Sequence, residues 1–573
     1  MINSLPRYAS LVGIGCVFLL GMVAACTPEP KLPDLRAIYA QEAAAQDGGT
    51  ANLLITIPGT LGSRLVDSVS GKVIWGGGSE GISADPENPV DARLMALPIV
   101  PSTTSFAVHR DTIVPDGVLD TAQASVLGLP VDIDVYGGIR RMLSLGGFRA
   151  RTVHLEDRTI FARAGPEGDT DRSETASEIL TTLPEATQNR APDLTPADYS
   201  RLTEDQANEF RFDYDWRRDI ATLAAEFHRF VELRKREVAA ERSLIPGQSI
   251  RPEDVRFDLL AHSMGGLVAR YYLMYGDAPL GEKGALPPVT WAGARNFNRV
   301  IFIAPPNAGS IVAMDNLVNG KELGPFQPFY PAALLATHSA AWQLLPRTRH
   351  RRVTWSNPTG PDDDPVEIYD PKLWERMGWG LASPDASLML EWLLPDVGDP
   401  AARRKLALDY QARLIRRAER FHRAMDRWRP PPANLELYLV VGGGFATPAS
   451  GVVDRETGVF RITGVEEGDG VVLRSSALLD ERQGHSFKRR LDTPLRFKTI
   501  LFLPDEHVEL TRDPVFGDNL LFWLLEQPRP PATLRRANAP AILTAHMQAD
   551  TPDTHARAHA SESAESLAVG SDR

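Results

Sequence analysis

The 573-residue sequence predicts an α/β fold, a mostly parallel sheet with helices on both faces and a large insertion set into it. Three observations carry that expectation. Five short runs are apolar almost throughout and stop at turn residues, as strands buried on both faces do. Helical patterns lie between them. A serine followed by two glycines, Ser263-Met-Gly-Gly266, stands where one of those runs gives way to a helix.

Taken in order, the chain opens with Arg7 and then an uncharged apolar run, Leu11 to Ala25, ending on small residues before Cys26. That is the pattern of a secretory signal, so residues 1–25 are expected to leave the mature chain. A spanning helix needs about 20 apolar residues, and this run is shorter and is closed by Thr27, Pro28, Glu29 and Pro30. Val23-Ala-Ala-Cys26 resembles a bacterial lipobox, which implies a lipidated Cys26 and a chain anchored in the cell envelope, at the outer membrane. An ordinary secretory signal with an incidental cysteine is the other reading. Cys16 would leave with the signal, so the two cysteines leave none for an internal disulfide or a cysteine metal site. A chain of this length can hold its fold by core packing alone. A net charge of −12 and a pI near 5.6 give no basic footprint for nucleic acid or anionic lipid heads, so the anchor carries any membrane contact.

Residues 26–50 are poor in large apolar side chains and rich in Pro, Ala and Gln, and read as a tether. The folded body starts at residue 51, and its first part runs to residue 304. Its first strand is Leu53 to Ile57, stopped by Pro58 and Gly59; the others are Phe257 to Ala261, Val300 to Ala304, Leu437 to Val441 and Thr499 to Leu503. Asp219 opens a helix whose apolar positions Ile220, Leu223, Phe227 and Phe230 form one stripe, and another helix runs from Met264 to about Tyr275. Two stretches are too long to be simple connections. Residues 156–205 are polar, acidic and rich in Thr and Pro, and read as a surface insertion. Residues 305–433 hold six of the ten tryptophans, Trp342, Trp374, Trp379 and Trp392 among them, and read as a cap or lid. Those aromatics would either bind apolar substrate or pack the insertion's own core. The body resumes at 434–526, and residues 527–573, rich in Pro, Ala, His and Ser, are expected to be a disordered tail.

Ala261-His-Ser-Met-Gly265 has the context of a nucleophile elbow, in which a tight strand-to-helix turn lifts a strained serine above the sheet. The usual first glycine is Ala261 here. A helix N-cap serine is the plainer alternative, and partners decide between the two. A serine hydroxyl becomes nucleophilic only when a histidine takes its proton, and that histidine needs a carboxylate to set its tautomer. His507 follows the last apolar strand after Pro504, Asp505 and Glu506, where such a histidine belongs. Gly468-Asp-Gly470 offers Asp469 as the acid, although Asp-Gly is also an ordinary hairpin turn, and Asp480 and Asp505 stay open as substitutes. Pro58-Gly-Thr-Leu-Gly62 can aim backbone amides at a developing oxyanion, with Thr60 and Met264 as the donors.

These motifs together resemble the lecithin:cholesterol acyltransferase family: Ile57-Pro-Gly-Thr-Leu-Gly62, Tyr214-Asp-Trp-Arg217, Ala261-His-Ser-Met-Gly-Gly266, Gly468-Asp-Gly470 followed by Ser475 and Ser476, and His507. The resemblance implies an α/β-hydrolase fold with cap and lid insertions. It also implies a Ser263, Asp469, His507 triad moving an acyl group from a glycerolipid to water or an alcohol. This chain departs in lacking the lid disulfide of the animal enzymes and in carrying the 156–205 insertion. Asn307-Ala-Gly-Ser310 is similar to a loop of bacterial lipases, which keeps plain ester hydrolysis in view as the alternative. A third reading is a catalytically silent envelope lipoprotein that binds lipid through its cap. The chemistry expected needs no metal or organic cofactor.

Overall fold

The computed structural model describes residues 53–78, 81–101, 111–126, 129–150, 207–243, 247–322, 328–357, 366–427, 429–482 and 488–526. The expected signal peptide, Cys26, the tether, the 156–205 insertion and the 527–573 tail lie outside the described residues. Among those described, no helix is long and apolar enough to cross a membrane.

Six strands form the central sheet: β1 (Leu54–Ile57), β2 (Glu209–Arg211), β3 (Phe257–His262), β4 (Phe297–Ile303), β5 (Glu436–Gly442) and β6 (Thr499–Leu503). Their spatial order is β6-β5-β4-β3-β1-β2, and every neighbouring pair is parallel. Five are the runs predicted from apolarity. The sixth, β2, has three residues with Glu209 and Arg211 at its ends, too short and too charged to carry a periodic signal.

The sheet is covered on both faces because alternate residues of each strand point to opposite sides. Ile55, Ile57, Leu259, Ala261, Val300, Phe302, Leu439 and Val441 join one core, shared with helix α2 (Ile220–Ser243) and helix α3 (Met264–Tyr275). Leu54, Leu260, Ile301, Ile303, Val440 and Leu503 join the other, shared with α1 (Gly137–Leu145) and α6 (Pro514–Leu521). Each large apolar side chain so buried contributes about 1.5–3 kcal/mol. All twelve residues of α3 are buried, which explains why its sequence shows no polar face. A parallel sheet wrapped in this way, with a positive-φ serine at the carboxyl end of a central strand, is an α/β-hydrolase fold.

Between β4 and β5 the chain adds several helices, including α4 (Ile311–Asn319) and the long α5 (Pro400–Met425). Asp219 caps α2 by accepting from Thr222 N at 2.9 Å and also receives Arg417 of α5 at two 2.8 Å contacts. That buried pair ties the insertion to the sheet's helices. Core packing wins for three of the tryptophans of this stretch: Trp342, Trp374 and Trp379 are buried and pack against one another, with centroids 4.5 and 5.3 Å apart. They belong to the same core as one face of the sheet. Asp469-Gly470 does lie in a tight reversal, with Gly468 bridged antiparallel to Leu473 and Asp469 N–H donating to Val472 O at 3.2 Å. Strands 445–453 and 460–468 form an antiparallel hairpin that turns at 454–459, and Asp469 follows its second strand.

Candidate functional site

Ser263 is placed by the step from β3 into α3. Its φ of 53° and ψ of −125° lie outside the regions an L-residue prefers, a strain of about 1–3 kcal/mol that surrounding contacts must hold. One of these is the bond from Ser263 N–H to Ile303 O at 2.8 Å, which fastens the turn to the end of β4. The glycines after the serine are a matter of space. A Cβ on Gly265 would lie 2.3 Å from Pro58 O, and one on Gly266 would lie 2.8 Å from Pro305 Cβ. Ala261, where a glycine is usual, is buried with its methyl in the sheet core, so the extra carbon is accommodated.

Ser263 Oγ lies 2.8 Å from Nε2 of His507, whose Nδ1 lies 2.7 Å from Asp469 Oδ2. The other carboxylate oxygen, Oδ1, accepts from Val471 N at 3.0 Å and Val472 N at 2.6 Å. His507 N–H also donates to Asp469 O at 3.0 Å, so the two loops are joined through both backbone and side chain. Burial raises the Asp469 pKa, but the His507 ring and the two amides outweigh it and hold the carboxyl below the usual aspartate range. Gly442, at the end of β5, leaves room for this acid, because a Cβ there would sit 2.4 Å from Asp469 Cβ. The two substitute acids are engaged elsewhere. Asp480 forms a fork with Arg482 at 2.6–3.0 Å. Asp505 has a raised pKa, from burial first and then from the neighbouring Asp513 carboxyl, with which it shares a hydrogen bond.

Across from His507 lies the loop after β1. Gly62 N–H donates to Gly59 O at 3.1 Å, and Leu61 takes a φ of 64°, which closes a tight turn around Thr60 and Leu61. A Cβ on Gly59 would fall 2.7 Å from Ser263 Cβ, so the turn and the serine are in direct contact. Thr60 Oγ1 sits 3.4 Å from Met264 Sδ, which places the two predicted donor residues side by side. Neither the Thr60 nor the Met264 amide has an acceptor among the described residues.

The Tyr214-Asp-Trp-Arg217 motif holds this loop from behind, a role that no local pattern revealed. Tyr214 Oη donates to Pro58 O at 2.8 Å and Trp216 Nε1 to Ser63 O at 3.2 Å, while Trp75 Nε1 donates to Leu61 O at 2.7 Å. Arg217, fully buried, pairs with Asp215 and donates to the carbonyls of Leu94, Met95 and Ala96. Beside Thr60 and Met264 opens a cavity of about 110 Å³, walled mainly by apolar side chains such as Leu65, Trp75, Trp216 and Leu317. Segments of the 305–433 stretch, from Ala313 to Leu344, make one side of it. Among the described residues, no group of three or more His, Cys, Asp or Glu is placed to hold a metal ion.

Fold and geometry define the class as an α/β-hydrolase fold with a serine, a histidine and an aspartate in hydrogen-bonded line at the carboxyl edge of its sheet. No family model and no curated protein matches the sequence. Among solved structures, the chain is similar to one from the crystal structure of a Tle4–Tli4 complex, with 15% identity, a TM-score of 0.45, and 83% of this chain and 99% of that chain covered. It is also similar to lipase 1 from Pelosinus fermentans, with 12% identity, a TM-score of 0.20, and 48% and 72% of the two chains covered.

Proposed function

We propose that this chain is a serine hydrolase or acyltransferase acting on lipid esters, with Ser263 as nucleophile, His507 as general base and acid, and Asp469 as the group that orients His507. The observation that carries the proposal is the continuous line from Ser263 Oγ to His507 Nε2 at 2.8 Å and from His507 Nδ1 to Asp469 at 2.7 Å. Nε2 takes the hydroxyl proton as Oγ attacks the ester carbonyl carbon, and the carbonyl π electrons move onto oxygen. The oxyanion is held by the free amides of Thr60 and Met264, each of which typically contributes a factor of about 10² or more in rate. Collapse breaks the ester C–O bond, and His507 returns its proton to the departing alcohol. Water or a second alcohol then attacks the acyl-serine by the same steps in reverse.

The cavity beside Thr60 and Met264 is walled mainly by apolar side chains, which is why lipid esters are favoured over small polar ones. The resemblance of the sequence motifs to the lecithin:cholesterol acyltransferase family favours glycerolipid donors, and the lipobox-like Val23-Ala-Ala-Cys26 favours a lipid-anchored position in a bacterial envelope. Hydrolysis of non-phospholipid esters is the second reading, favoured by Asn307-Ala-Gly-Ser310. Asn307 and Ala308 in that loop bond to Ala477 O and to Ser476 Oγ, close behind the acid loop.

Labelling with a fluorophosphonate probe tests the proposal. Wild type is expected to be labelled at Ser263, and Ser263→Ala and His507→Ala are expected to abolish labelling. A folded wild-type sample that resists the probe in detergent overturns it and leaves a lipid-binding lipoprotein. Paired phospholipid and short-chain ester substrates, with and without added alcohol, then separate the two ester readings and transfer from hydrolysis.

A further inference from the structure

A second hydrogen-bonded chain runs behind the Ser263 line. Gly59 N–H donates to Tyr136 Oη at 2.7 Å, Tyr136 Oη lies 2.7 Å from His262 Nδ1, and His262 Nε2 lies 3.1 Å from the backbone carbonyl oxygen of His507. Tyr136 and His262 are both buried, and their rings meet edge to face with centroids 5.6 Å apart. The His262 and His507 rings are 4.8 Å apart.

Chemistry assigns every proton in this chain. A carbonyl oxygen only accepts, so His262 Nε2 carries its hydrogen and donates to His507 O. Burial and the adjacent His507 lower the His262 pKa to about 3, so the ring is neutral and Nδ1 holds a lone pair. Tyr136 must therefore donate to Nδ1. Its oxygen is then free to accept from Gly59 N–H, and burial pushes the phenol's pKa up, so the hydroxyl keeps its proton. The direction is fixed end to end: Gly59 to Tyr136, Tyr136 to His262, His262 to His507.

This chain joins three loops that leave the sheet at different strands: the turn after β1, the end of β3, and the loop after β6. Each must be correct to a fraction of an ångström for Nε2, Oγ and the oxyanion amides to converge. The Gly59 amide is also occupied by Tyr136, which leaves the next amide, that of Thr60, as the open one. We propose that Tyr136 and His262 are positioning residues for acyl transfer, tying the oxyanion turn and the His507 backbone to the nucleophile's own strand. The inference rests on the reading of Ser263 as nucleophile. Its rival is a buried tyrosine–histidine pair that supports stability alone.

Three variants of the full chain test it: Tyr136→Phe, His262→Leu and His262→Gln. Glutamine can keep a donor toward His507 O, and leucine cannot. The readouts are kcat and KM on a p-nitrophenyl ester, the rate of fluorophosphonate labelling, and Tm. Tyr136→Phe and His262→Leu are expected to lower kcat and the labelling rate by about 10- to 100-fold, the loss typical of misplacement by about 1 Å, with KM within about twofold. His262→Gln is expected to recover most of what His262→Leu loses. Folded variants with lowered Tm but wild-type kcat overturn the proposal, as does a glutamine variant no better than leucine. If His262→Leu does not fold, Tyr136→Phe, which removes a single oxygen, decides the question. Wild type that is not labelled at Ser263 defeats the hydrolase reading itself, whereas a labelled wild type with unaffected variants defeats only this inference.

Discussion

On the proposed hydrolase reading, replacing Asp469 by asparagine should abolish ester cleavage through a tautomer rather than through loss of structure. In the native site Oδ1 accepts from two amides, Val471 N–H and Val472 N–H, while Oδ2 faces His507 Nδ1. An asparagine must keep its oxygen toward the two amides, because turning its NH2 there would oppose two donors to a donor. The NH2 group then faces Nδ1 and donates to it. That makes Nδ1 the unprotonated nitrogen, so the hydrogen moves to Nε2, the nitrogen 2.8 Å from Ser263 Oγ that has to accept the serine's proton. A triad with its histidine in the wrong tautomer loses about 10⁴ in kcat, or about 5.5 kcal/mol of transition-state stabilisation. The assay is kcat for p-nitrophenyl butyrate with Tm measured alongside, comparing Asp469→Asn with Asp505→Asn and Asp480→Asn. The last two should keep kcat within about twofold. If Asp469→Asn retained a tenth of wild-type kcat, or if Asp505→Asn suffered the larger loss, the assignment of the acid would be refuted.

Stability should fall between pH 7 and pH 5 because of three buried neutral histidines. His262 and His338 have pKa values lowered by burial to about 3 and about 4, and His422 is also held well below its ordinary value. In the unfolded chain each titrates near 6.5, so as pH falls the unfolded state gains protons that the folded state refuses; the loss is about 2 kcal/mol per histidine at pH 5. Unperturbed carboxylates have pKa values of about 4, below this window, so urea unfolding midpoints that do not move between pH 7 and 5 contradict the burial of these rings. Gly442→Ala places a carbon 2.4 Å from Asp469 Cβ and must displace the acid loop, with kcat expected to fall by about 10²-fold; a variant within threefold of wild type shows that the loop yields freely. Ala341→Phe extends a ring into the 110 Å³ cavity and should lower kcat/KM for decanoyl esters by more than about tenfold relative to butyryl esters. Equal losses on both chain lengths would remove the cavity from acyl recognition.

The sequence by itself determined five of the six sheet strands, the helix Met264–Tyr275 and the strand-to-helix junction that holds Ser263. Those features are local: an apolar run ending at Pro or Gly, or a stripe at three- and four-residue spacing, is set by neighbours along the chain. Strand β2 escaped because three residues with charged ends carry no period. Only the tertiary structure decided which carboxylate faces His507. Asp469, Asp480 and Asp505 all stand in plausible turns, and the choice depends on a hairpin at 445–468 and on the space left by Gly442 beside Asp469 Cβ. It also decided that Trp342, Trp374 and Trp379 pack the core, since burial depends on what arrives from elsewhere in the chain. Tyr136, Tyr214 and Trp216 acquired partners 77, 156 and 153 residues away, and no window of sequence contains both ends of such a bond. Local sequence encodes the elements and their punctuation; the convergence of three loops on one serine is a property of the assembled sheet.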